Sequence, residues 1–70
     1  MVQKKIRDYI DTHGIKMSKI IRDTGIPQST FSAIINGQRH LRADEFFAIC
    51  KSLDVPPEIF EPDEGELETA

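Results

Sequence analysis

Apolar residues recur along this chain with the period of a helix. In the first segment Val2, Ile6, Tyr9 and Ile10 fall at i, i+4, i+7 and i+8, one stripe, while Lys4, Lys5, Asp8 and Asp11 take the other faces. His13-Gly14 ends this helix, because glycine readily supplies a left-handed cap. A second segment carries Met17, Ile20, Ile21 and Thr24 at helical spacing and stops at Gly25. Gly25-Ile26-Pro27 is then a tight break. Gly25 turns the chain left-handed where a side chain is expected to clash, and Pro27 fixes φ for a new start. The third segment, Gln28 to Asn36, points Phe31, Ile34 and Ile35 inward and leaves Gln28, Ser29, Thr30, Ser32 and Ala33 elsewhere. Asn36-Gly37 terminates it, and the flanks lack the period-two alternation that a hairpin needs.

After a loop, Gln38–Leu41, a fourth helix carries Ala43, Phe46, Phe47, Ile49, Cys50 and Leu53. Asp44 and Glu45 sit in its first turn, where carboxylates complement the helix dipole. Phe46 and Phe47 both read as core, as does Cys50. Asp54-Val55-Pro56 stops the helix, and Pro57-Glu58-Ile59-Phe60 reads as a short last turn with Ile59 and Phe60 as a lid on the core. From Glu61 onward only Leu67 is strongly apolar, which predicts a disordered acidic tail. The expected fold is all-α, a compact five-helix domain over residues 1–61 with a tail at 62–70.

Length changes this picture little: 70 residues make one domain. A chain this short buries only about 60% of the surface its unfolded form exposes, which leaves little room for a cleft. No apolar run approaches the roughly 18 residues of a membrane span, and the spaced apolar residues of MVQKKIRDYI do not read as a secretory signal. With one cysteine no intrachain disulfide forms, so a cytoplasmic protein is expected. Charge changes it more. The net charge is −3, but residues 1–57 hold nine basic side chains against six acidic, and residues 58–70 hold six acidic and none basic. A mildly basic body thus carries an acidic tail, and charge per segment is the informative quantity.

The chemistry lies in Met17 to Asn36, two short helices joined by a turn opening on glycine, which is the helix-turn-helix pattern. Ile20, Ile26, Phe31 and Ile34 are placed to lock the pair at a steep angle, leaving the second helix proud of the body. Its free face holds Gln28, Ser29, Ser32 and Ala33, which a core does not require and a major-groove reader does. Glutamine suits adenine N6 and N7, serine meets several base edges, and the alanine methyl meets a thymine methyl. Around that face Lys16, Lys19, Thr30, Asn36, Gln38, Arg39, His40 and Arg42 form the expected phosphate-contacting set, which positions the protein while base contacts specify sequence. The basic residues of the first helix read as a solvated face instead.

The stretch GIKMSKIIRDTGIPQSTFSAIINGQR, Gly14 to Arg39, resembles the Cro/repressor-type (lambda-repressor-like, XRE) helix-turn-helix family without a gap. The match rests on Gly25, Ile26, Ser29, Thr30, Phe31, Ser32, Ile34, Asn36, Gly37 and Arg39, and the continuation ADEFFAICKSLDVPPEIF is similar to the family's later helices. The resemblance implies a transcriptional regulator, a repressor of phage or mobile-element type. It places base contacts at Gln28, Ser29, Ser32 and Ala33 and phosphate contacts in the loop from Asn36 to His40. Two positions depart from the pattern. Met17 stands where the family usually has a phosphate-binding glutamine, and Ile21 stands where it usually has a small residue at the helix crossing.

The expected partner is double-stranded DNA, bound by two copies of the chain, with Leu41 or Ile59 expected to be exposed and to pair them. The rival reading is a protein-binding module on the same fold, an antitoxin or anti-repressor, for which the acidic tail and Met17 speak. Neither a metal nor a cofactor is expected, because His13, His40 and Cys50 lack ligand spacing. An enzyme is not expected either: no nucleophile–base pair or phosphate loop is present.

Overall fold

The computed structural model describes residues 2–62 and 67–68. Four α-helices follow one another: α1 (Val2–His13), α2 (Met17–Thr24), α3 (Gln28–Ile35) and α4 (Ala43–Leu53). A single 3-10 turn spans Pro57–Phe60. The fifth helix expected from the sequence is therefore only this turn. The turn is cut short at its C-terminal end, where Glu61 takes the left-handed φ of 45° and Pro62 follows.

Two short strands interrupt the all-α pattern. β1 (Leu41–Arg42) pairs in parallel with β2 (Leu67–Glu68), Leu41 facing Leu67 and Arg42 facing Glu68 in register. Part of the segment expected to be a disordered tail is thus placed against the body; residues 63–66 and 69–70 lie outside the described residues. Leu67 packs on the core's margin beside β1, which is why an apolar residue stands alone among acids.

The helix ends explain the loops. At the end of α1 the Ile15 amide bonds to the Ile10 carbonyl (3.0 Å) and the Gly14 amide to the Asp11 carbonyl (3.3 Å). At the end of α3 the Gln38 amide reaches Ala33 (2.9 Å) and the Gly37 amide Ile34 (3.1 Å); α4 ends with the Val55 amide on Cys50 and the Asp54 amide on Lys51, both 3.1 Å. All three pairs are the Schellman closure, which absorbs the last carbonyls of a helix through one left-handed residue. At α4 that residue is Asp54, with φ 59°, not a glycine.

The core joins one face of each helix. Ile6, Ile20, Phe31, Ile34, Leu41 and Ile49 are wholly buried, with Phe46, Cys50 and Phe60 nearly so. Three expectations about apolar side chains fail here. Leu41, expected at an exposed pairing surface, is 0% exposed, because β1 turns it inward beneath Leu67. Phe47 is 54% exposed while Phe46 is buried, since neighbours on a helix point 100° apart and α4 has a core on one side only. Ile59 is likewise 48% exposed, so Phe60 alone lids the core, edge-on to the rings of Tyr9 and Phe46.

Candidate nucleic-acid interface

The turn between α2 and α3 is built from side chains within it. Thr24 Oγ1 donates to the Ile20 carbonyl (2.8 Å) and accepts the Ile26 amide (3.2 Å). Gly25 then takes φ 76°, and its amide bonds to the Ile21 carbonyl at 2.9 Å. A Cβ at Gly25 meets nothing within 4 Å, so the expected clash with surroundings is absent. Glycine is favoured there by the left-handed backbone itself. Ile26 drops into the core and Pro27 opens α3 at φ −59°. Ile21, which the sequence marks as large for a helix crossing, is half-buried and packs against the core's edge.

Because Phe31, Ile34 and Ile35 are buried, helical spacing turns Ser29, Ser32, Ala33 and Asn36 away from the body. Gln28 and Ser29 are exposed, and Ser32 and Ala33 are half-buried on the same outer side. The four expected base-reading residues therefore share one open surface, in which Gln28 stands at the entry of α3. Thr30 is half-buried on the flank, and Lys16 is exposed where α2 begins.

The loop after α3 is held at several points. Gln3, buried in α1, donates from Nε2 to the Arg39 carbonyl at 3.4 Å. Arg39 Nη1 bonds to Glu45 Oε1 (2.9 Å) and to the His40 carbonyl (3.2 Å). The same Glu45 oxygen accepts the Arg42 amide at 3.0 Å, so one carboxylate both caps α4 and anchors the loop. Arg42 Nε meets Asp44 Oδ1 at 3.2 Å, while Gln38 and His40 are exposed. This brings Asn36, Gln38, Arg39, His40 and Arg42 together as one run of donors and cations beside the end of α3.

Lys19 does not join it. Its Nζ bonds to Asp23 Oδ2 and to the Ser52 carbonyl, each at 2.8 Å, and Ser52 Oγ donates to the same Asp23 oxygen at 2.8 Å. The ammonium thus faces α4 and ties α2 to it. Lys19 leads, with Ser52 next, in holding the Asp23 carboxyl below its ordinary value. Cys50 is inert by contrast: burial, aided by the charge of Glu58, pushes its thiol up to about 11.

Sequence reasoning missed Gln3, Glu45 and Arg7 as parts of this surface. Arg7 Nη1 donates to Asn36 Oδ1 at 3.4 Å, and both line a groove with Asp11, Met17 and Ser32. The only signal available was that Gln3 and Arg7 lie four apart, flanking the apolar stripe of α1.

Among the described residues no group of three or more His, Cys, Asp or Glu side chains is arranged to hold a metal ion, and no helix is long and apolar enough to cross a membrane. A family model described as the Cro/C1-type HTH DNA-binding domain matches residues 5–62, from the first turns of α1 to just past the 3-10 turn. No curated protein and no solved structure matches the chain significantly.

Proposed function

This chain belongs to the Cro/C1-type HTH DNA-binding domain family, and from that premise we propose that it is a transcriptional repressor of phage or mobile-element type. It reads duplex DNA with α3 in the major groove. Gln28, Ser29, Ser32 and Ala33 meet base edges. Lys16, Thr30, Asn36, Gln38, Arg39, His40 and Arg42 meet phosphates. Lys19 leaves that set because its ammonium is turned to Ser52 of α4, whereas Arg39 and Arg42, though paired with Glu45 and Asp44, stand in the loop that follows α3.

The observation that carries this reading is the open outer surface of α3, lined by small and hydrogen-bonding side chains and continuous with the anchored cationic loop. A rigid surface of this kind contributes specificity without an ordering cost at binding. One such helix spans few base pairs, so two copies reading a palindrome are required for useful selectivity, with half-sites about 34 Å apart on one DNA face. Phe47 and Ile59, both about half exposed, are large apolar side chains outside the α3 surface that could pair them.

The test is selection of binding sites from a random duplex pool at two salt concentrations. A single enriched palindrome is the expected result. Gln28→Ala should then relax preference at one base position, at about 1–3 kcal/mol of discrimination, while leaving binding to unrelated duplex intact. A pool that stays unenriched, together with one stable protein captured from the host, would favour the antitoxin or anti-repressor reading instead.

A further inference from the structure

We propose that Arg7 is a phosphate-binding residue of the duplex interface, acting with Asn36 so that α1 and the end of α3 bear on one backbone phosphate. The inference rests on the DNA-binding reading and deepens it. The first observation is placement. On α1, Tyr9 and Lys5 lie on the flank facing the 3-10 turn, where Lys5 Nζ reaches the Glu61 carbonyl at 3.4 Å. Gln3 and Arg7 lie on the opposite flank, facing the end of α3 and its loop. Arg7 is exposed, and it borders the same groove as Ser32 and Asn36, two residues of the outer surface of α3.

The second observation is the hydrogen bond itself. Asn36 Oδ1 accepts from Arg7 Nη1 at 3.4 Å. A guanidinium can only donate, so this contact fixes which end of the Asn36 amide faces Arg7. The Asn36 Nδ2 group is thereby turned outward as a donor. Arg7 keeps four further N–H groups, because one of its five is used. Two donor-only groups, one of them cationic, converge at the lip of a groove beside the reading surface, which is the chemistry a phosphate oxygen takes. Asp11 lines the groove too, and its charge opposes any anion there, but no ion pair joins it to Arg7 among the described residues, so the donors of Arg7 stay open.

The groove also holds Met17, at 38% exposure, so its α2 wall offers a thioether where a hydrogen-bonding side chain could have stood. Arg7 of α1 then adds a second cation to Lys16, which stands exposed beside Met17 where α2 begins.

The experiment measures affinity of the full chain for the selected duplex and for an unrelated one across a salt series, for wild type, Arg7→Ala, Arg7→Lys and Asn36→Ala. Circular dichroism confirms equal helicity, and Arg7→Gln, which keeps the stem, stands in should the alanine variant lose helix. The expected result is that Arg7→Ala weakens both duplexes by the same factor, about tenfold near 0.1 M salt, and lowers the slope of log K against log salt by about 1. Arg7→Lys keeps the slope. Asn36→Ala weakens wild type more than it weakens the Arg7→Ala protein, because the pair acts together. If wild type binds and Arg7→Ala shows the wild-type slope on both duplexes, the assignment of Arg7 is overturned alone. If wild type binds no duplex even at low salt, the DNA-binding reading falls and takes this assignment with it.

Discussion

Gly25 and Asp54 solve the same backbone problem with different side chains. Both sit just past a helix in the left-handed region, at φ 76° and 59°. Since a Cβ on Gly25 has open space around it, Gly25→Ala should cost only the intrinsic left-handed penalty, about 1–2 kcal/mol, with DNA sequence preference unchanged. Chemical denaturation of the two proteins measures it; a larger loss would mean that the turn is crowded after all. Asp54→Gly relieves that penalty and should stabilise by up to about 1 kcal/mol. Cys50 yields a prediction from burial. With its thiol 1% exposed and held at about 11, it should resist maleimide in the native protein at mildly alkaline pH and react quickly in denaturant.

Among the elements, α2 is attached by charged contacts as well as apolar ones. Ile20 is its buried anchor, and the Lys19–Asp23–Ser52 cluster ties its solvent side to α4. The hydrogen bonds of Lys19 and then Ser52 favour the charged carboxylate, so the folded value of Asp23 lies below the ordinary 3.8. A depressed carboxyl contributes stability above its unfolded value and loses it as pH falls through its folded value. Wild type should therefore be modestly more stable than Asp23→Asn at neutral pH, and the two should converge on acidification below 3.8. Thermal melts at several pH values check this, and a gap that persisted in acid would remove the ionic explanation. The surface exposure of the cluster keeps the effect small. The loop from Asn36 to Arg42 is held differently, by Gln3 from α1 and Glu45 from α4, so the orientation of its donors depends on two side chains that take no part in the proposed DNA contacts.

For the molecule as a whole, charge is divided unequally. The last 13 residues carry six acids and no base, and in register Glu68 faces Arg42 across the β1–β2 pair. In the proposed binding mode Arg42 meets a phosphate, and the acids of this segment oppose the approach of the DNA backbone. Replacing Glu64, Glu66 and Glu68 by glutamine should raise affinity for any duplex at low salt, and the gain should vanish once salt shortens the screening length to a few ångströms. A gain independent of salt would remove the electrostatic explanation.

The sequence alone determined the four helical stripes, the glycine-led turn between the second and third helices, and the polar outer side of the third. Local periodicity and backbone preference act within a few residues, and they need no partner to be read. The same locality made Phe47, Leu41 and Ile59 misleading: whether an apolar residue beside a stripe is buried depends on which neighbour covers it. The exposed Phe47, the buried Leu41 beneath Leu67 and the engaged Lys19 were decided only when α1, α4 and the C-terminal strand met. Arg7 joined Asn36 the same way, across 29 residues of chain. Contacts of that span are fixed by how helices pack, and packing is a property of the assembled core rather than of any one segment.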